Sequence, residues 1–241
     1  PFYNEQIKIV GFFTKLESNI QLQQEKINLL KEQKKGYMQK LIKKGIGHKQ
    51  FKKSELGEIP LSWQVKPLAD VVEFYNGKAH EKIIDEKGKY TLINSKFVST
   101  EGKVQKNVSE QLVPLFIDDI VMVMSDVPNG KAIAKCFLVN KDNKYSLNQR
   151  IGLFRTKSML TKYLYYYLNR NRYFLKFDDG VGQTNLKKSD ILKCPILVPP
   201  FEEQQKIAGF LTKMDKKIQL EQYKLENLHQ QKKSFMQQMS I

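Results

Sequence analysis

The residues best equipped for chemistry in this 241-residue chain lie in short polar stretches. These are Asn76-Gly77-Lys78-Ala79-His80, Asn94-Ser95-Lys96, Ser125 through Lys131, Asn148-Gln149-Arg150 and Gly182-Gln183-Thr184-Asn185. Asn, Gln and Arg can each offer paired hydrogen-bonding groups to a base edge, and glycines let backbone approach a phosphate. Solvated surface loops share this composition, but the combination fits nucleic-acid recognition. The candidate contact residues are Lys78, Lys96, Ser125, Asn129, Lys131, Asn148, Gln149, Arg150, Gln183, Thr184, Asn185 and Lys187, with Lys78, Lys96 and Lys131 expected on phosphates. A second cluster, Tyr163, Tyr165, Tyr166 and Tyr167, could stack on bases. The interleaved Leu160, Leu164 and Leu168 favour helix packing instead.

Catalytic signatures are missing. The Gly-Lys pairs at 77, 88, 102 and 130 lack both the upstream glycine and the following hydroxyl of a phosphate-binding loop. Val198-Pro199-Pro200-Phe201 approaches the Asn/Asp-Pro-Pro-Tyr/Phe signature of amino-methyltransferases, but valine replaces the polar residue that would accept the target amine. No glycine-rich cofactor loop precedes it. Pro-Asp does not occur anywhere to support a nuclease reading. His48, His80 and His229 are scattered, so no metal set is evident, and the chain is expected to be non-catalytic, with no metal or cofactor of its own.

Charge agrees with a polyanion partner. Lys and Arg number 41 against 25 Asp and Glu, a net +16. No apolar run approaches the roughly 20 residues a membrane-spanning helix needs, and the start does not read as a signal peptide. Cys136 and Cys194 sit in apolar contexts and read as reduced, buried thiols of a cytoplasmic protein. The opening at Pro1 falls in mid-pattern, as in a piece of something longer.

The elements that must position these residues begin with an internal repeat. Residues 1–41 align with 199–239, and 20 of the 41 pairs are identical. Both copies are rich in helix-favouring Gln, Glu, Lys and Leu. In the first, Ile9, Phe13, Leu16, Ile20, Ile27, Leu30, Tyr37 and Leu41 step by fours and threes once Gln23 and Lys34 are included. In the second, Ile207, Leu211, Met214, Ile218, Leu225, Leu228, Phe235 and Met239 do the same, with Glu221 and Lys232 at the matching polar places. A seam sustained this long predicts two helices paired as an antiparallel coiled coil, the polar steps fixing register or meeting a third helix.

Between them the character changes. Strands are expected at Tyr90–Asn94, Asp119–Met124, Lys131–Val139, Leu147–Thr156 and Cys194–Val198, with a helix near 160–175 capped by Ser158 or Thr161. Basic residues outnumber acidic by 25 to 16 over 45–198. The chain therefore divides into a helix at 1–44, a mixed domain at 45–198 and a helix at 199–241. The fold class is α+β: one mixed strand/helix domain flanked by two long α-helices.

Several motifs, in this order, resemble the specificity (S) subunit of Type I restriction–modification systems. They are Leu56-Gly57-Glu58-Ile59-Pro60 with Trp63, Asn76-Gly77-Lys78-Ala79, Leu147-Asn148-Gln149-Arg150-Ile151-Gly152, Lys162 through Leu168, Gly182-Gln183-Thr184-Asn185-Leu186, and Val198-Pro199-Pro200-Phe201-Glu202-Glu203-Gln204-Gln205-Lys206-Ile207-Ala208. The resemblance implies a target-recognition domain that reads one half of a split double-stranded DNA target. It implies helices that dock a methyltransferase subunit, and a motor–nuclease restriction subunit that joins for cleavage. S-adenosylmethionine, ATP and Mg are then expected only on those partners. The family carries two recognition domains and this chain one, so a half-subunit could form a homodimer. Two other readings stay open: the recognition portion of a fused restriction–methylation enzyme, and an RNA-binding or scaffolding coiled-coil protein.

Overall fold

A computed structural model describes residues 2–127 and 130–239, the side chain of Met239 excepted. The chain runs α1 (Tyr3–Lys44), β1 (Phe51–Ser54), β2 (Gly57–Pro60), β3 (Gln64–Pro67), α2 (Leu68–Val71), β4 (Val72–Asn76), β5 (Tyr90–Ile93), α3 (Ser95–Ser99) and β6 (Asn107–Val108). It continues through β7 (Ile120–Val123), β8 (Ser125–Asp126), β9 (Cys136–Leu138), β10 (Tyr145–Leu147), β11 (Ile151–Thr156), α4 (Thr161–Leu168) and α5 (Arg172–Leu175). The last elements are β12 (Thr184–Asn185), α6 (Lys188–Leu192), β13 (Pro195–Val198) and α7 (Phe201–Met239). The fold is α+β. Two compact units result: a helix pair from 1–41 with 209–241, and a module from Ile42–Ala208.

Within the pair α1 and α7 run antiparallel, because partners descend along α7 as they ascend along α1. Phe12 meets Phe235, Glu17 meets Lys232, Gln23 meets Glu221, Lys34 meets Asp215 and Tyr37 meets Phe210. The seam positions are the sheltered ones. Leu16, Ile27, Leu30, Leu211 and Ile218 are buried, while Ile9, Phe13, Ile20, Leu41, Met214, Leu225 and Leu228 are half-buried. Tyr37 and Phe235 remain largely exposed in their edge-on aromatic pairs, and Ile207 is buried within the module. The seam expectation at Met239 lies outside the described side chains.

In the module a four-stranded antiparallel sheet, β4-β11-β7-β9, packs its inner face on the β10-β5-β6 sheet. Val121, Val123, Ile151, Leu153, Ile93, Leu147 and Phe97 share that core. The alternate residues Ile120, Met122 and Phe154 are fully buried on the other face, so β7 and β11 are covered on both sides. Arg155 closes the far end, donating to both carboxylate oxygens of the buried Asp119 at 2.8 and 3.0 Å. That fork geometry is the strong form of the pair.

Four sequence expectations need correction. The strand expected over Lys131–Val139 is only Cys136–Leu138, since Ala134 takes φ 55° and the Ala132 and Ile133 amides turn to the Asp126 carboxylate. Leu147–Thr156 is two strands broken at Asn148-Gln149-Arg150. The helix near 160–175 is likewise two, because Arg170 sits at φ 56° and the Asn171 side chain caps α5 by accepting from Tyr173 N–H. Neither Ser158 nor Thr161 caps α4; the Leu160 amide is met instead by Gln204 Oε1 at 2.9 Å.

Candidate nucleic-acid interface

The sheet registers bring the polar stretches together. Asn76 lies opposite Gly152, Ile151 opposite Val123 and Met122 opposite Cys136. The end of β4, the end of β7 and the start of β11 therefore meet at one end of the sheet, and the segments leaving them share that end. The backbone stitches them further. Lys78 N–H donates to Leu147 O at 3.0 Å, Met124 N–H to Arg150 O at 3.0 Å and Leu186 N–H to Met124 O at 2.8 Å. A Cβ on Gly77 would fall 2.0 Å from the Asn148 carbonyl oxygen, so only glycine permits this crossing.

Two-residue strands attach the last polar stretch. β12 pairs with β8, Asn185 against Ser125 and Thr184 against Asp126, and Gln183 Nε2 donates to Ser125 Oγ at 2.6 Å. Thus Lys78, Ser125, Asn148, Gln149, Arg150, Gln183, Thr184, Asn185 and Lys187 fall in one region. Lys131 is exposed on the loop leading to β9. Lys96 is exposed on α3, which follows β5 after Ile93 O accepts from Asn148 N–H. The Asn129 expectation lies outside the described residues.

These candidates are not equally available. Gln149 donates to Glu81 Oε1 at 3.2 Å, Gln183 is held by Ser125, and Thr184 is buried with its hydroxyl on Asp178. Ser125 itself is buried, and Asn148 Oδ1 accepts from Arg150 N–H. By contrast, among the described residues the exposed Arg150 side chain has no hydrogen-bond partner, and the exposed Asn185 side chain makes only a long 3.4 Å bond to Gln183 O. Lys78, Lys96, Lys131 and Lys187 are exposed.

Carboxylates shape the loops. Asp179 accepts from the amides of Val181 and Gly182, and those N–H groups hold its carboxyl below the ordinary carboxylate range. Asp178 accepts from Gly180 N–H and the Thr184 hydroxyl. His80, buried under the 76–80 loop, is a support rather than a ligand: its Nδ1 meets Lys78 O at 2.6 Å and its Nε2 meets Ser146 Oγ at 2.7 Å. A carbonyl only accepts, so Nδ1 carries the proton. None of these roles stands out in the sequence, where each residue looks like an ordinary loop side chain.

The tyrosine cluster serves packing. Tyr163, Tyr166 and Tyr167 are buried, and the Tyr163 and Tyr167 hydroxyls donate to the carbonyls of Leu197 and Pro195 on β13. Burial pushes both phenols above their usual range. Cys136 and Cys194 are free and buried, and burial pushes the Cys194 thiol up to about 12. Among the described residues no trio of His, Cys, Asp and Glu is placed to hold a metal, and no helix is long and apolar enough to cross a membrane.

A polar socket escaped the sequence reading. Within the module the Glu203 carboxylate accepts from Ile46 N–H at 2.9 Å and Trp63 Nε1–H at 2.8 Å, and meets His48 Nε2 at 2.8 Å. Gly45 makes room: at φ 66°, a Cβ there would lie 2.4 Å from Glu203 Oε1 and 2.7 Å from both His48 and Trp63. The repeat of Glu203 as Glu5 was the available signal.

Comparison with known proteins places this geometry. A family model described as "Type I restriction modification DNA specificity domain" matches residues 60–230. Among curated relatives, the Type I restriction enzyme MjaVIII specificity subunit of Methanocaldococcus jannaschii is 31% identical over 98% of this chain and 59% of its own. The putative MjaX specificity subunit of the same organism is 26% identical over 98% and 56%. This chain thus spans a little over half the length of these relatives. Its fold is similar to the S subunit of a Type I restriction-modification system from M. genitalium (TM-score 0.62, 15% identity, 97% of this chain and 60% of that one). The HsdS subunit of Thermoanaerobacter tengcongensis is similar too (TM-score 0.55, 16% identity, 97% and 57%). With the family model covering well over half its residues, this chain belongs to the Type I restriction modification DNA specificity family.

Proposed function

We propose that the module Ile42–Ala208 reads one half of a bipartite duplex DNA target and performs no catalysis. The observation that carries this is the convergence, at one end of the four-stranded sheet, of Lys78, Arg150, Asn185 and Lys187, all exposed and drawn from separate segments. Phosphate contacts by the lysines would set position, and Arg150 and Asn185 would reach base edges, Arg preferring guanine and Asn adenine. The basic excess of the module supports the same partner.

In this reading the helix pair docks a methyltransferase subunit, and a restriction subunit joins that assembly. The cofactors S-adenosylmethionine, ATP and Mg sit on those partners. Leu22 and Leu220, matched positions of the repeat, are both well exposed beside the seam and support a docking role for the pair. The test is to assemble the complete complex, expose DNA to it and map methylated adenines. A bipartite motif that changes in one half when this module is exchanged supports the reading; an unchanged motif refutes it. RNA outcompeting duplex DNA in binding would favour the RNA-binding alternative.

A further inference from the structure

On a surface suited to a polyanion, Asp126 is the wrong charge in a prominent place. It ends β8, opposite Thr184 of β12 and next to the pairing of Ser125 with Asn185. Its carboxylate is turned toward main-chain amides. Oδ1 accepts from Val127 N–H at 2.9 Å, and Oδ2 accepts from Ala132 N–H at 2.7 Å and Ile133 N–H at 3.0 Å. The chain passes over it closely: a Cβ on Gly130 would fall 2.1 Å from Oδ2 and 2.2 Å from the carboxyl carbon. A side chain at 130 would therefore displace the Asp126 carboxylate.

Main-chain amides bunched on one carboxylate would otherwise diverge or turn to water, and a charged acceptor is roughly twice as strong as a neutral one. The same charge repels phosphate, so it lowers DNA affinity in general. A residue that opposes binding yet gathers the Val127, Ala132 and Ile133 amides is explained if geometry matters more than attraction there. We propose that Asp126 is a positioning residue for target reading, fixing the backbone of Val127, Ala132 and Ile133 next to the β8–β12 pair that carries Asn185, and so setting which sequence is preferred. This rests on the module reading DNA.

The test is selection from a randomised duplex library by the complete complex, with non-cognate affinity measured in parallel. Asp126→Asn and Asp126→Ala remove the same charge, but only the asparagine keeps an acceptor oxygen. Both should bind non-cognate duplex a few-fold more tightly. Asp126→Asn should enrich the wild-type sequence, whereas Asp126→Ala should lose roughly tenfold or more of its preference, the scale of one base contact. Gly130→Ala displaces the carboxylate without removing its charge, so it should lose preference with no gain in non-cognate affinity; it decides the matter if Asp126→Ala fails to fold. Unchanged preference in Gly130→Ala and Asp126→Ala overturns the assignment while leaving DNA reading intact. A wild-type complex that enriches nothing overturns both.

Discussion

Gln23 and Glu221 face each other at the one place where the internal repeat maps a residue onto its own partner. The Gln23 side-chain amide donates to Glu221 Oε2 at 2.7 Å and to the Glu221 main-chain carbonyl at 2.9 Å. The other contacts come in matched pairs about this point. Phe12–Phe235 becomes Phe210–Tyr37, and Glu17–Lys232 becomes Asp215–Lys34, when each residue is exchanged for its repeat equivalent. Lys26 and its equivalent Lys224 both reach Glu221, at 3.0 and 3.2 Å. The repeat is therefore a local two-fold in space, with Gln23 and Glu221 astride the axis. A buried polar pair in a seam specifies register, because any slip sets each against an apolar neighbour.

This pair makes the helix unit acid-sensitive. The Gln23 hydrogen bond, then Lys26 and Lys224, hold the Glu221 carboxyl down to about 2. Its folded value lies below the unfolded value of about 4.3. The stabilisation is therefore complete above that value and disappears as pH falls from about 4 to about 2. Thermal unfolding followed by helical circular dichroism should show a lower Tm at about pH 3 than at about pH 6, and Glu221→Gln should narrow that difference. An equal difference in the variant would place the acid sensitivity elsewhere.

Symmetry makes a second prediction. Lys34→Ala and Lys232→Ala remove equivalent ion pairs, each partly exposed, so each should lower stability by about 0.2–1 kcal/mol. The pairs are far apart along the helices, so the double variant should show the sum within about 0.5 kcal/mol. Denaturant titration of the four proteins tests this; strong coupling would mean that the two ends are not independent.

The Glu203 socket should be intolerant. Gly45→Ala forces a left-handed φ on a residue with a side chain and drives that side chain into Glu203, His48 and Trp63. A loss of about 3 kcal/mol or more is expected from the strain and overlap together. Trp63→Phe keeps the ring but removes one donor from Glu203, at about 1–3 kcal/mol. Glu5→Gln, at the exposed repeat position, should cost little. Comparable losses at Glu5 and at the socket would show that the asymmetry between the two copies is wrong.

What could be read from the sequence was what periodicity encodes. A heptad seam signals itself at every step, and the short apolar runs of β7 and β11 read as buried strands, though the break before β11 did not show. The two-residue strands β8 and β12 carry no period at all, and they are what joins Gln183 and Asn185 to Ser125. The interface candidates came from side-chain chemistry, which does not say whether a group is already engaged. Gln149 and Gln183 look like base readers until Glu81 and Ser125 are seen holding them. Conversely Asp126 and Asp178 look like errors on a basic surface until the amides they hold are seen.

The last prediction separates reading from holding. Arg150 is exposed without a hydrogen-bond partner among the described residues, so Arg150→Ala should leave the fold unchanged. In the complete complex it should cost about 1–3 kcal/mol at the cognate site and relax preference at one position. Lys187→Ala should weaken cognate and non-cognate duplexes alike, and reduce the slope of log affinity against log salt by about 0.9 if it neutralises one phosphate. Gln183→Ala releases Ser125 and the arm it ties, so its effect should spread over several positions and accompany a lower Tm. Anisotropy titrations at several salt concentrations, on cognate and singly substituted duplexes, distinguish these outcomes. If Arg150→Ala and Lys187→Ala gave the same uniform loss, both would be phosphate contacts, and the base-reading side chains would have to be sought among the other exposed groups at this end of the sheet, Asn185 first.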